Sequence, residues 1–166
     1  GYKLRYVFDM SDTNSRQGRM IPIWRMAPQY EDAVIEALEN SYGEFSDKSS
    51  LSACLLETAR VIVEDNFGDY YTELRGVKAG SLLEELDDLS TETWFKGLVE
   101  SSVAFIMLTR CGIDPMDYFS GEDFAHVYDF DTPETLSILG GAVSDIAEMP
   151  LREIATTVLS LYRTEQ

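Results

Sequence analysis

Basic side chains are scarce in this chain. Only 13 Lys and Arg stand against 30 Asp and Glu over 166 residues, and 13 − 30 gives a formal charge of −17. A nucleic acid is captured by releasing its counterions through clustered Lys and Arg, so this deficit argues against direct nucleic-acid binding by the domain. Cysteine is nearly absent too. Cys54 and Cys111 each sit inside an apolar run with no C-x-x-C spacing. They read as small buried hydrophobes of a reducing compartment, and not as a zinc knuckle or a redox pair. Histidine occurs once, as His126. No apolar run approaches the roughly 20 residues that cross a bilayer. The longest late run is Val103 to Leu108, and Arg16, Arg19 and Arg25 interrupt the early apolar residues. Neither a signal peptide nor a membrane span is expected, and the chain reads as cytoplasmic. It begins at Gly1 without Met, which reads as a domain, residues 1–166, excised from a larger protein.

What is present is enough for one core, since 45% of the residues are hydrophobic. A chain near 150 residues buries roughly 70% of the surface that its unfolded form exposes, so neither disulfide nor metal staples are needed. The negative charge is uneven. Residues 1–83 hold 9 basic and 13 acidic side chains, and residues 84–166 hold 4 and 17, so the net values are −4 and −13. Between Cys111 and Thr135, the acids Asp114, Asp117, Glu122, Asp123, Asp129, Asp131 and Glu134 face no Lys or Arg in sequence. This stretch is either a solvated face or a docking surface for a basic partner or a cation.

Periodicity predicts a predominantly helical α+β unit with a small sheet. Residues 2–8 alternate apolar and basic positions and read as a strand, followed by a polar loop over 9–18. A helix is expected over 29–42 with Gly43 as its stop, and a second from about Asp47 or Ser49 to Phe67, ended by Gly68. Tyr70–Leu74 and Val77–Ala79 read as a short hairpin around Arg75-Gly76. Further helices are expected over 82–86, from about Thr91 to Cys111 with Ser90 or Thr91 as cap and Gly112 as stop, from Thr132-Pro133 to Glu148, and from Leu151 to Tyr162 behind Pro150. Asp114 should cap a turn at Pro115, and 119–130 should form a loop or short helix. Trp24 and Trp94 read as core or rim aromatics, with no basic groove beside them for stacking bases.

Two carboxylates stand out. Glu57 lies in Ala53-Cys54-Leu55-Leu56-Glu57-Thr58-Ala59-Arg60-Val61-Ile62, and Glu100 lies in Val99-Glu100-Ser101-Ser102-Val103-Ala104-Phe105. A carboxylate among apolar helical neighbours must find a partner or shift its pKa.

Tyr6-Val7-Phe8-Asp9-Met10-Ser11-Asp12-Thr13 resembles the "VFDxSQT" segment of LtrC-type and ArdC-type antirestriction proteins of plasmids and conjugative elements. Glu100-Ser101-Ser102-Val103-Ala104-Phe105 and Cys111-Gly112-Ile113-Asp114-Pro115-Met116-Asp117-Tyr118 are similar to the family's "ESVAY … FGIDTSDY". The resemblance implies a zincin-like domain. In such a domain H-E-x-x-H on one helix sets two imidazoles on Zn²⁺ with the Glu as general base, and a later Glu completes the ligands. Here that motif falls on Leu56-Glu57-Thr58-Ala59-Arg60. The base position is kept as Glu57 and the third ligand as Glu100, while Leu56 and Arg60 replace both histidines.

One histidine cannot rebuild the site, so no intact catalytic residue, no metal and no cofactor is expected. Arg60 brings a permanent cation and is expected to pair with Glu57 or Glu100. The resemblance thus implies a catalytically inactive binding or scaffold module of a mobile-element protein, working with an unidentified protein partner and the other domains of its parent; the acidic run is what would make that partner a basic one. Two alternatives stand beside it. One is an acidic DNA mimic that inhibits a nuclease. The other is a carboxylate site for Mg²⁺ or Ca²⁺ at Glu57, Glu100 and Asp65 serving a hydrolase, although no EF-hand spacing is present.

Overall fold

The computed structural model describes residues 24–166. Four helices carry the architecture: α1 over Glu31–Tyr42, α2 over Leu51–Val77, α3 over Asp88–Arg110 and α4 over Pro133–Thr164. The long helices α2, α3 and α4 pack pairwise on one another, and α1 lies against α4 and α2. Buried positions recur at helical spacing on each. On α3 they are Thr91, Phe95, Leu98, Val99, Val103, Ala104, Met107 and Leu108. On α4 the stripe runs Thr135, Leu139, Ala142, Ile146, Ala147, Pro150, Ile154 and Val158. These stripes are what hold the helices together, since each fully buried aliphatic or aromatic side chain contributes roughly 1.5–3 kcal/mol.

The expected α+β class is corrected: among the described residues there is no strand and no sheet. The strand expected over 2–8 lies outside the described residues. The hairpin expected over 70–79 is instead the last two turns of α2. Tyr71 there is buried between Phe67 and Phe95, with ring centroids 6.4 and 6.3 Å away, and its hydroxyl donates to the Asp88 carbonyl at 2.7 Å. Tyr70 donates to the Asp145 carboxylate of α4 at 2.7 Å, which pushes its own pKa up to about 12. Strand-forming Tyr-Tyr-Thr is thus overridden by tertiary partners that only a helix can offer it.

Gly68 accordingly ends nothing. Gly43 and Gly112 do stop helices, at φ +102° and +78°, where a side chain would be strained. Gly68 lies in the interior of α2, exposed, and a Cβ built on it meets nothing within 4 Å. Gly68→Ala should therefore stabilise the protein by about 0.5–1 kcal/mol, read as a raised urea midpoint at constant m-value. A loss of stability would show that Gly68 serves as a stop after all.

Two more boundaries differ. The expected break at Pro150 is absent, and α4 runs through it. Proline removes one backbone hydrogen bond, but Pro150 itself is buried, and Ile146 and Ile154 seat the helix on the core to either side. Residues 82–86 form a turn and not a helix. The caps follow local chemistry: Ser50 accepts from the Ala53 amide, Asp87 from Ser90, and Thr132 from Thr135. Asp87, and not Ser90 or Thr91, therefore starts α3. Asp114 and Thr132 cap as expected, and 3₁₀ turns cover Pro115–Asp117 and Gly121–Asp129. Among the described residues no helix is long and apolar enough to cross a membrane.

Candidate functional site

Leu56, Glu57 and Arg60 occupy one stretch of α2 but point to different surroundings. Leu56 is half-buried against the core. Glu57 turns to the loop joining α1 and α2. Its carboxylate accepts the Ser46 amide at 3.0 and 3.1 Å and the Ser46 hydroxyl at 2.8 Å. Arg60 is 62% exposed, with its guanidinium 3.6 Å from Glu57. The Ser46 hydroxyl, then the Ser46 amide, hold the Glu57 carboxyl below its ordinary pKa; burial opposes them, and Arg60 adds least. Of the two ion pairs expected, the one with Glu57 forms. At the surface such a pair contributes little, and Ser46 is the partner that matters.

Glu100 sits elsewhere. It is half-buried on α3 and lines an open groove with Leu89, Glu92, Thr93, Lys96 and Gly97. Lys96 of that groove is paired with Glu64 of α2 and lies over the Phe67 ring at 5.2 Å. No hydrogen bond or ion pair joins Glu100 to Glu57 or Arg60 among the described residues. Asp65 is exposed on α2. No group of three or more His, Cys, Asp or Glu side chains within residues 24–166 is placed to hold a metal ion. Of the four motif positions, Glu57 and Arg60 are joined by an ion pair.

His126 lies in the 3₁₀ stretch, stacked on Trp94 of α3 with centroids 3.7 Å apart and planes 16° apart. Its Nδ1 is 3.1 Å from the Asp129 carboxylate. Trp94 is thus a rim aromatic, while Trp24 is buried. Cys54 and Cys111 are both buried and free, and burial pushes the Cys111 thiol up to about 12, which keeps it protonated and unreactive. Three of the acids between Cys111 and Thr135 hold backbone amides, two of them local and one across the fold. Asp114 accepts the Met116 amide, Asp123 the Ser120 amide, and Asp131 the Leu82 amide. Among the described residues every Lys or Arg ion pair goes to an acid outside this stretch.

The α1–α2 loop is held by carboxylates with lowered pKa values. Glu39 takes the Lys48 ammonium, the larger cause, and the Phe45 amide at 3.0 Å. Asp47 takes the Ser49 hydroxyl and amide. Together with Glu57 these groups bind their protons less readily folded than unfolded. Their stabilising contribution is full above the unfolded values, about 4, and is lost as pH falls through the lower folded ones. Urea midpoints between pH 5 and 2 should fall, with the protection of the Phe45 and Ser46 amides falling alongside. Glu57→Gln should flatten part of that slope, and an unchanged slope would show that Glu57 is not among the groups responsible.

Sequence reasoning missed Ser46, the Trp94–His126 stack, and the outward face of the Val103–Leu108 run. The last had a signal, because six consecutive apolar residues cannot all share one face of a helix. No family model, curated protein or solved structure matches the chain.

Proposed function

We propose that this chain is a non-catalytic binding module and, on its resemblance to LtrC-type and ArdC-type proteins, a module of a mobile-element protein. The carrying observation is the fate of Glu57. A general base must be free to take a proton from water, yet both oxygens of Glu57 are engaged by Ser46. A carboxylate stabilised in its charged form by two donors is also a weaker base than an ordinary one. The residues that would have served a metal thus do structural work: Leu56 packs on the core and Glu57 fastens a loop.

Such a module acts through its surface. Loading the purified protein with Zn²⁺, Mg²⁺ or Ca²⁺ and measuring bound metal should return well under one ion per chain, and peptide and phosphodiester substrates should remain uncut. Stoichiometric metal with hydrolysis that Glu57→Gln abolishes would overturn the reading.

A further inference from the structure

The run Val103–Leu108 has two faces. Val103, Ala104, Met107 and Leu108 are buried, which turns Phe105 and Ile106 to the other side of α3. Phe105 meets Phe124 of the 3₁₀ stretch edge to face at 5.8 Å, and Phe119 supports Phe124 at the same distance. Ile106 is exposed among three depressions. One, of about 300 Å³, is lined by Ser102, Phe105, Ile106 and Phe124, and a neighbouring one by Phe105, Ile106, Thr109 and Arg110. The third lies between Ile106 and the α4 residues Ala147, Glu148, Leu151 and Arg152. From Ser102 to Arg110 the floor runs over nine residues of helix, eight rises or about 12 Å, which matches two turns of a docked helix.

Charge selects the occupant. The wall that carries Phe124 also carries Glu122 and Asp123, both exposed and neither paired with Lys or Arg among the described residues. Of the cations near the floor, Arg152 has an acidic partner, and Arg110, at the end away from Phe124, is held by Trp24. Arg110 stacks on Trp24 at 3.8 Å and donates to its carbonyl at 3.1 Å, and Arg152 is paired with Glu148. A second copy would bring another −17 to the contact. Like charge of that size opposes self-association.

We infer that this groove docks a basic amphipathic helix of a partner protein, its apolar side on Phe105 and Ile106 and its Lys or Arg toward Glu122 and Asp123. The inference rests on the binding-module reading and names the partner's chemistry. A helix with apolar residues at three and four spacing fits such a groove by the same geometry that shapes α3.

The probe is a fluorescent Leu/Lys peptide of about 18 residues with Leu at helical spacing, compared with a scrambled peptide of equal composition. Anisotropy should show the amphipathic peptide binding at least about tenfold more tightly than the scramble. Ile106→Asn keeps the charge and should weaken binding about tenfold, as should Ser102→Trp, which fills the depression. Glu122→Gln should weaken binding at low salt and reduce its salt dependence, while Glu36→Gln, at an exposed position of α1, should change nothing. Circular dichroism and urea midpoints establish that each variant folds. Equal binding of the scramble, or wild-type affinity in both Ile106→Asn and Ser102→Trp, overturns the inference. So does a wild-type dimer in sedimentation that Ile106→Asn makes monomeric, which would assign the face to a second copy. Failure here leaves the non-catalytic reading in place, because metal loading and hydrolysis test that reading separately.

Discussion

Phe95→Ala should cost about 3–5 kcal/mol, a large share of the roughly 5–15 kcal/mol that holds a domain folded. Phe95 on α3 is fully buried and joins three parts of the molecule. Its ring lies 6.3 Å from Tyr71 of α2 and 6.2 Å from Phe130, which leads the chain from the acidic 3₁₀ stretch into α4. Truncation removes the buried ring and leaves a void that the close-packed surroundings of Tyr71 and Phe130 close only in part. The urea midpoint should fall sharply at constant m-value, and Phe95→Leu should recover part of the loss. A cost below about 1 kcal/mol would show that the void collapses, and that the aromatic series from Phe67 through Tyr71 and Phe95 to Phe130 does not link the helices.

That series also explains where the sequence misled. Helix ends were legible where stop chemistry was reinforced by what followed. Gly43 precedes Glu44-Phe45-Ser46-Asp47, rich in turn formers, and Gly112 precedes Ile113-Asp114-Pro115. Gly68 precedes Asp69-Tyr70-Tyr71-Thr72, whose local preference for strand is real but weak. The decisive partners, Phe95 and the Asp88 carbonyl for Tyr71 and Asp145 for Tyr70, lie 17 to 75 residues away. Pro150 misled for a similar reason, because the cost of one missing hydrogen bond is local while the apolar stripe that offsets it belongs to the whole of α4.

The candidate site was legible only in part. Residue types at Leu56, Glu57 and Arg60 show that this stretch offers no histidine pair to a metal. They do not reveal where a carboxylate goes instead. Glu57 reaches Ser46, 11 residues earlier, in a loop that the helix pattern leaves undefined. The expected pairing with the nearby cation, Arg60, does form, but helix spacing could not show that a distant loop would bring the Ser46 hydroxyl and amide to the same carboxylate. The outward position of Ile106 was the opposite case. It follows from helical period alone, once Val103, Ala104, Met107 and Leu108 are given to the core.

Adjacent leucines in the turn after α2 should respond in opposite ways. Leu83→Ala should cost about 2–5 kcal/mol and Leu82→Ala no more than about 0.5. Leu83 is fully buried, whereas Leu82 is 58% exposed. The backbone fixes that choice. The Leu83 amide donates to the Ser81 hydroxyl at 3.2 Å, the Leu82 amide donates to the Asp131 carboxylate at 2.9 Å, and Lys78 holds the Leu86 carbonyl at 3.0 Å. A five-residue segment is too short to form a stable helix by itself, so these contacts, one of them 49 residues distant, decide which leucine faces inward. Asp131→Asn keeps an acceptor and should leave both values unchanged. Asp131→Ala should loosen the turn and narrow the difference between the two leucines, because a turn free to rotate lets either side chain fill the same site. Equal costs for Leu82→Ala and Leu83→Ala in the wild-type background would mean that the turn is not held in this orientation.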